Sequence, residues 1–217
     1  MRLRHFVRKL WVMGWKRNDL QFSVGGDALI FAALLLLIFP LKWLIAAIMA
    51  ALWHEFCHYL AVKLCGGRID MIRVAKNGTV MRSQIHNAGY ELICVLAGPL
   101  GSLALILLAR WIPRIAFCAA VHGIYNLMPI YPLDGGRAFH IFAESILPHN
   151  IARRVCACLE WIVRIGICAA GVLLTLRFKE GYLPIIFAVM FFIKTKSEKD
   201  LANRGGRRYN SPTIVLR

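Results

Sequence analysis

The sequence predicts an all-α integral membrane protein with about six transmembrane helices and a small cytoplasmic β-hairpin between the second and third spans. Three observations carry that expectation. Of 217 residues 59% are hydrophobic and the mean hydropathy is +0.60, yet the formal net charge is +16. Helices in lipid joined by basic loops have that combination. The apolar runs are too long and too many for a soluble domain of this size to bury. Lysine and arginine are also sorted: with both termini in the cytoplasm, 20 of the 27 fall on that side. Only Lys42, Arg110, Arg114, Arg177 and Lys179 fall on the other, and Lys63 and Arg164 lie within spans. This asymmetry sets the orientation. The charge alone would suit nucleic acid, but the apolar runs do not, so no nucleic-acid partner is expected.

Residues 1–26 form a basic cytoplasmic segment. Phe6, Leu10, Trp11 and Trp15 are interleaved with Arg4, Arg8, Lys9 and Lys16, which reads either as a topogenic anchor or as a helix lying on the inner leaflet. No signal peptide is expected, because the first long apolar run begins only after Asp27 and no small-residue cleavage site follows it. Gly25-Gly26 before Asp27 marks the start of a first span over 27–39, and Pro40 the turn into the second, over 43–64. Next, Ile69 to Val74 and Thr79 to Arg82 flank Ala75-Lys76-Asn77-Gly78, a hairpin signal. The remaining spans are expected over 88–109, 115–133, 155–176 and 181–193. Residues 27–193 are therefore the six-span core, and 194–217 a basic cytoplasmic tail too short for a domain. Cys57, Cys65, Cys94, Cys118, Cys156, Cys158 and Cys168 sit mostly within or at the ends of spans. An odd count without C-x-x-C spacing indicates free thiols filling helix interfaces.

The chemistry lies in the second span, at His54-Glu55-Phe56-Cys57-His58. Residues i and i+4 of a helix share one face, so both imidazoles reach one metal ion while Glu55 points to its flank. That is the layout of a metalloprotease centre. Ionisable side chains at membrane depth cost about 2.5–3.5 kcal/mol each even on mild scales, so three within one turn imply a compensating partner. Direct ligation by Cys57 is not expected, since it stands about 100° from His58 around the helix.

A third ligand is needed, and Asp134 is the best candidate. It follows Asn126-Leu127-Met128-Pro129-Ile130-Tyr131-Pro132-Leu133 and precedes Gly135-Gly136. The two prolines forbid a regular helix, the glycines allow a bend, and broken backbone at membrane depth is tolerated where it lines a protein cavity. Taken alone, the segment reads as an ordinary loop with Asp134 capping a helix that starts near Arg137. Glu91, His86 and Glu144 stand in reserve as ligands.

H-E-x-x-H in one apolar helix and N-x-x-P-x-x-P-L-D-G-G in a later one resemble the two signature motifs of the site-2 proteases, zinc enzymes that cut substrates within the membrane. Ala97-Gly98-Pro99 is similar to a third element of that family. The resemblance extends over about residues 27 to 193 and is nearest to the six-span branch that includes the sporulation pro-sigma-factor processing protease. It implies His54, His58 and Asp134 as ligands of one zinc ion per chain and Glu55 as the catalytic glutamate. Asn126 matches a motif asparagine that binds substrate or the oxyanion. Two departures stand out: Cys57 replaces a small residue, and Gly101-Ser102 stand where a polar amide often follows A-G-P. These residues have no counterpart of the PDZ or CBS regulatory domains that many members of that family carry, so separate membrane proteins are expected to supply control.

The implied reaction uses zinc to acidify a water and polarise the scissile carbonyl, with Glu55 moving the proton to the leaving amine. From the motif to the cytoplasmic end of its span is roughly 15 Å of helix, so cleavage is expected in the cytoplasmic half of the bilayer. The expected substrate is a membrane-tethered regulator such as a pro-sigma or anti-sigma factor, and the expected location a bacterial cell membrane. One edge of the hairpin is a candidate for pairing with an unwound substrate. The alternative function is a catalytically silent metal-binding protein acting as transporter or partner-binding scaffold. His122, four residues before Asn126 and on the same face, reads as a helix-packing histidine, with a place lining the cavity as the alternative, and Glu160 with Arg164 as an i, i+4 pair that neutralises itself.

Overall fold

The computed structural model describes residues 12–17, 20–25, 40–75, 78–84, 87–178 and 213–216. The expected spans over 27–39 and 181–193 lie outside the described residues, as does His86. The chain forms two compact units, one of residues 1–126 with 212–217 and one of residues 127–211. Among the described residues, three helices are long and apolar enough to cross a membrane: Leu41–Leu64, Ala88–Leu108 and His149–Arg177.

The first unit holds a five-stranded sheet in the order β1-β2-β3-β4-β5. Its strands are β1 (Val12–Arg17), β2 (Leu20–Gly25), β3 (Arg68–Ala75), β4 (Gly78–Gln84) and β5 (Thr213–Leu216). β2 runs parallel to β3 and the other neighbours are antiparallel. Of the basic N-terminal segment, the expected anchor or interfacial helix over Arg4 to Trp11 lies outside the described residues, and Val12–Arg17 and Leu20–Gly25 are extended. Their Val, Trp and Phe content favours strand once a partner exists, and β3 supplies one, with Gln21 opposite Met71. β3 pairs with β4 from Arg68↔Gln84 to Ala75↔Gly78, with a register shift between Ile69 and Met71. β3 is flanked by β2 and β4 by β5, so both outer edges of this pair are occupied by the chain's own strands.

Helix α1 (Leu41–Leu64) starts after Pro40 and ends in a Schellman motif. The Gly67 amide reaches the Val62 carbonyl at 2.8 Å and the Gly66 amide the Lys63 carbonyl at 3.1 Å. That closure needs a left-handed residue, and Gly66 supplies it at φ 72°. Helix α2 (Ala88–Ala104) is capped by the Asn87 side chain, which accepts from the Gly89 amide at 2.8 Å, and runs on into a 3-10 turn over Leu105–Leu108. Helix α3 (Pro113–Leu127) opens with proline at its first position, where no N–H is missed. Ala50, Leu105 and Ala119 form a small core between α1, the 3-10 turn and α3.

The expected span over 115–133 is instead the 15-residue α3 followed by an irregular segment. Pro129 and Pro132 stop the helix at Leu127 because neither can donate to the backbone ladder.

In the second unit, α4 (Asp134–Ile146) packs against α5 (His149–Phe178) through Ala143, Ala152 and Cys156. Asp134 is the first residue of α4 and Leu133 occupies the cap position. The helix therefore begins about one turn before the expected start near Arg137.

Both α1 and α5 have an inverted distribution of polarity. On α1, Ala46, Ala50, His54, His58 and Val62 recur every four residues and are buried, while Ile45, Met49, Leu52, Phe56 and Leu60 are exposed. On α5, Ala152, Cys156, Glu160 and Arg164 recur likewise and are buried, while Val155, Trp161, Ile162 and Ile165 are exposed. Apolar surface outward with ionisable groups inward suits a lipid solvent.

Candidate metal centre

The buried stripe of α1 places His54 and His58 one turn apart, both at 0% exposure. Their Nε2 atoms face each other at 3.1 Å and the rings stand nearly perpendicular, at 82°. The outer nitrogens are engaged by α2. His58 Nδ1 lies 2.7 Å from the Cys94 carbonyl oxygen. A carbonyl only accepts, so Nδ1 carries the proton and Nε2 presents its lone pair. His54 Nδ1 shares a hydrogen bond of 3.0 Å with the Ser102 hydroxyl, also fully buried. This is the outer-shell arrangement by which proteins fix imidazole tautomers for a cation.

The spacing fits a metal. Two imidazole nitrogens at about 2.05 Å from a tetrahedral zinc ion stand about 3.3 Å apart, close to the 3.1 Å observed. The packing that enforces it depends on small residues. A Cβ on Gly98 would collide with the His58 ring, and one on Gly101 with the Cys57 side chain. Further along, a Cβ on Gly123 of α3 would stand 3.0 Å from the Pro99 carbonyl oxygen and 3.1 Å from the Ser102 Cβ. Backbones approach this closely only where side chains are minimal. Trp53 seals the same contact, its indole N–H donating to the Gly101 carbonyl at 2.9 Å.

Glu55 is half-buried and lies one position around α1 from His54. Cys57 is half-buried, a free thiol packed toward Gly101. The ring of His122, from α3, stands edge-to-face on His54 with centroids 4.6 Å apart. Asn126, one turn later on α3, is buried, and its Nδ2 donates to the His122 carbonyl at 3.0 Å.

In the second unit Asp134 is fully buried at the start of α4. A Cβ on Gly135 would strike the Leu127 carbonyl and one on Gly136 the Ile130–Tyr131 peptide. The double glycine thus serves close packing of the turn against α4. The Leu133 amide donates to the Ile130 carbonyl at 2.9 Å and the Arg137 amide to the Leu133 carbonyl at 3.0 Å, tying turn and helix together. Glu160, on α5, accepts from the Tyr131 amide at 3.2 Å through Oε1 and pairs with Arg164 at 3.6 Å through Oε2. Of the reserve ligands, Glu144 is engaged by His149 at 2.8 Å and by His140 at 3.4 Å, and Glu91 is a half-buried residue in the first turn of α2.

Sequence assigned no role to the Ser102 and Glu160 contacts, and it read His122 as a packing residue without naming its partner. Ser102 carried a signal, standing where a polar group follows A-G-P; His122 did too, at four residues before Asn126. The Glu160 contact with Tyr131 had none, because it joins residues 29 apart.

The family described as Peptidase M50B-like matches residues 28–132, a stretch that contains the histidine pair and stops two residues before Asp134. No curated protein matches the chain. Among solved structures, the site-2 protease from Methanocaldococcus jannaschii is similar in fold, with a TM-score of 0.57 at 16% identity, over 87% of this chain and 95% of that one.

Proposed function

We infer, from a chain that resembles the site-2 proteases in its motifs and its fold, that this protein is an intramembrane zinc metalloprotease. The observation that carries the reading is the histidine pair: two buried imidazoles on an apolar helix, inner nitrogens 3.1 Å apart, outer nitrogens held, a glutamate alongside. Asp134 is proposed as the third ligand. His54, His58 and Asp134 are all buried and each offers one ligand atom, and two imidazoles with one carboxylate are a donor set suited to zinc. Held by these three residues, zinc would supply Lewis acidity to a water and to the scissile carbonyl.

The chain's own groups do the rest. Glu55 takes the proton of the attacking water and returns it to the leaving amine. Asn126 commits one amide hydrogen to His122 and retains the other, with its carbonyl, for substrate or the developing oxyanion. We further propose six spans with both termini in the cytoplasm of a bacterial cell, the β3–β4 hairpin on that side, and a membrane-tethered transcription regulator of pro-sigma or anti-sigma type as substrate. Separate membrane proteins would provide control. Strand addition of substrate at the hairpin requires β2 or β5 to give way, since both flank it.

The test is purification in detergent, a zinc assay, and co-expression with single-span substrates as wild type and Glu55→Gln. Zinc retained with cleavage lost supports the protease. Function unaltered in that variant points instead to a silent metal-binding scaffold or transporter, which needs ligands but no base.

A further inference from the structure

An ion pair inside an apolar helix calls for a physical reason. Glu160 is 6% exposed and Arg164 4%, both on the buried stripe of α5, where charge is costly and persists only if compensated. Mutual neutralisation is incomplete as an account, because the contact is loose at 3.6 Å and Arg164 Nε and Nη2 make no hydrogen bond among the described residues. A tighter engagement is elsewhere. Glu160 Oε1 accepts the Tyr131 amide at 3.2 Å, in the turn between Pro129 and Pro132 that leads through Leu133 into Asp134. The neighbouring prolines have no N–H, so Tyr131 offers the anchoring donor in that stretch.

We propose that Glu160 is a positioning residue: it clamps the Tyr131 backbone and thereby fixes the turn that delivers Asp134, with Arg164 present as the counter-charge that lets a carboxylate act as clamp inside lipid. The chain of contact is continuous within the second unit. Glu160 holds Tyr131, the Ile130 carbonyl holds the Leu133 amide at 2.9 Å, the Leu133 carbonyl holds the Arg137 amide at 3.0 Å, and Asp134 lies between these last two. Gly136 seats against the same Ile130–Tyr131 peptide. A shift at Tyr131 is therefore carried to the first turn of α4. The consequence for metal binding rests on Asp134 being a ligand; the clamp itself does not.

Two uncharged double variants isolate the acceptor from the ion pair. Glu160→Gln with Arg164→Met removes both charges and keeps the carbonyl oxygen; Glu160→Leu with Arg164→Met removes the acceptor as well. Hydrogen exchange of the Tyr131 amide in detergent and zinc titration are measured on the full chain. The Gln/Met form is expected to keep Tyr131 protection within a few-fold of wild type. The Leu/Met form is expected to exchange there about tenfold faster and to bind zinc about 10–100-fold more weakly, with α5 amides unchanged. Equal Tyr131 protection in the two variants overturns the proposal. A wild type that binds no zinc overturns the metalloprotease reading and leaves the exchange comparison to decide the clamp.

Discussion

The ring of His58 stands over the bare α-carbon of Gly98, with no room between them for a side chain. Helix α2 thus comes near enough for its Cys94 carbonyl to accept the His58 Nδ1 proton at 2.7 Å.

Gly98→Ala is expected to push the imidazole off that carbonyl and weaken zinc binding at least tenfold, in the range seen when outer-shell partners of ligands are lost. The matched control is Gly166→Ala on α5, where an added Cβ meets nothing within 4 Å. That change should leave zinc affinity alone and, by helix propensity, raise stability by up to about 1 kcal/mol. Zinc titration and thermal unfolding in detergent check both.

Ser102→Ala removes the hydroxyl on His54 Nδ1. The expected result is zinc affinity lowered by about 10-fold or more with helix content unchanged. Ser102→Cys, a weaker hydrogen-bonding group of similar shape, should fall between. Competition with a chelator of known affinity measures the series.

His122→Phe should hold zinc affinity within a few-fold of wild type, because it preserves the edge-to-face contact with His54. His122→Ala forfeits that contact, worth about 0.5–1.5 kcal/mol, and should loosen binding up to about tenfold. The same competition assay reads this pair.

Cys57→Ala tests whether the thiol belongs to the metal. With Cys57 packed toward Gly101, zinc stoichiometry and affinity should match wild type. A fall in stability of about 1 kcal/mol is expected from the lost packing. A cadmium titration followed by thiolate absorbance should show no sulfur ligand in the native chain.

The histidine pair was legible because it is local: i, i+4 spacing in one helix settles the geometry of His54 and His58 without reference to any other element. The strands Val12–Arg17 and Leu20–Gly25 escape a local reading, because β3, the partner of β2, lies far along the sequence. At Gly135-Gly136 the sequence suggested a bend after Asp134. The pair instead admits the Leu127 carbonyl and the Ile130–Tyr131 peptide, so α4 begins a turn sooner. Glu160 and Arg164 read as a self-contained pair because their four-residue spacing explains itself; the backbone amide that Glu160 also holds is invisible to any pattern along α5.

The inverted polarity of α1 has a bearing on biogenesis. A helix whose greasy residues face outward has no stable form in the cytosol, and without that helix His54 and His58 are two unrelated side chains on a loose polymer. On the reading that the pair holds zinc, lipid insertion precedes metal loading, because the site exists only once the helix is seated in the bilayer.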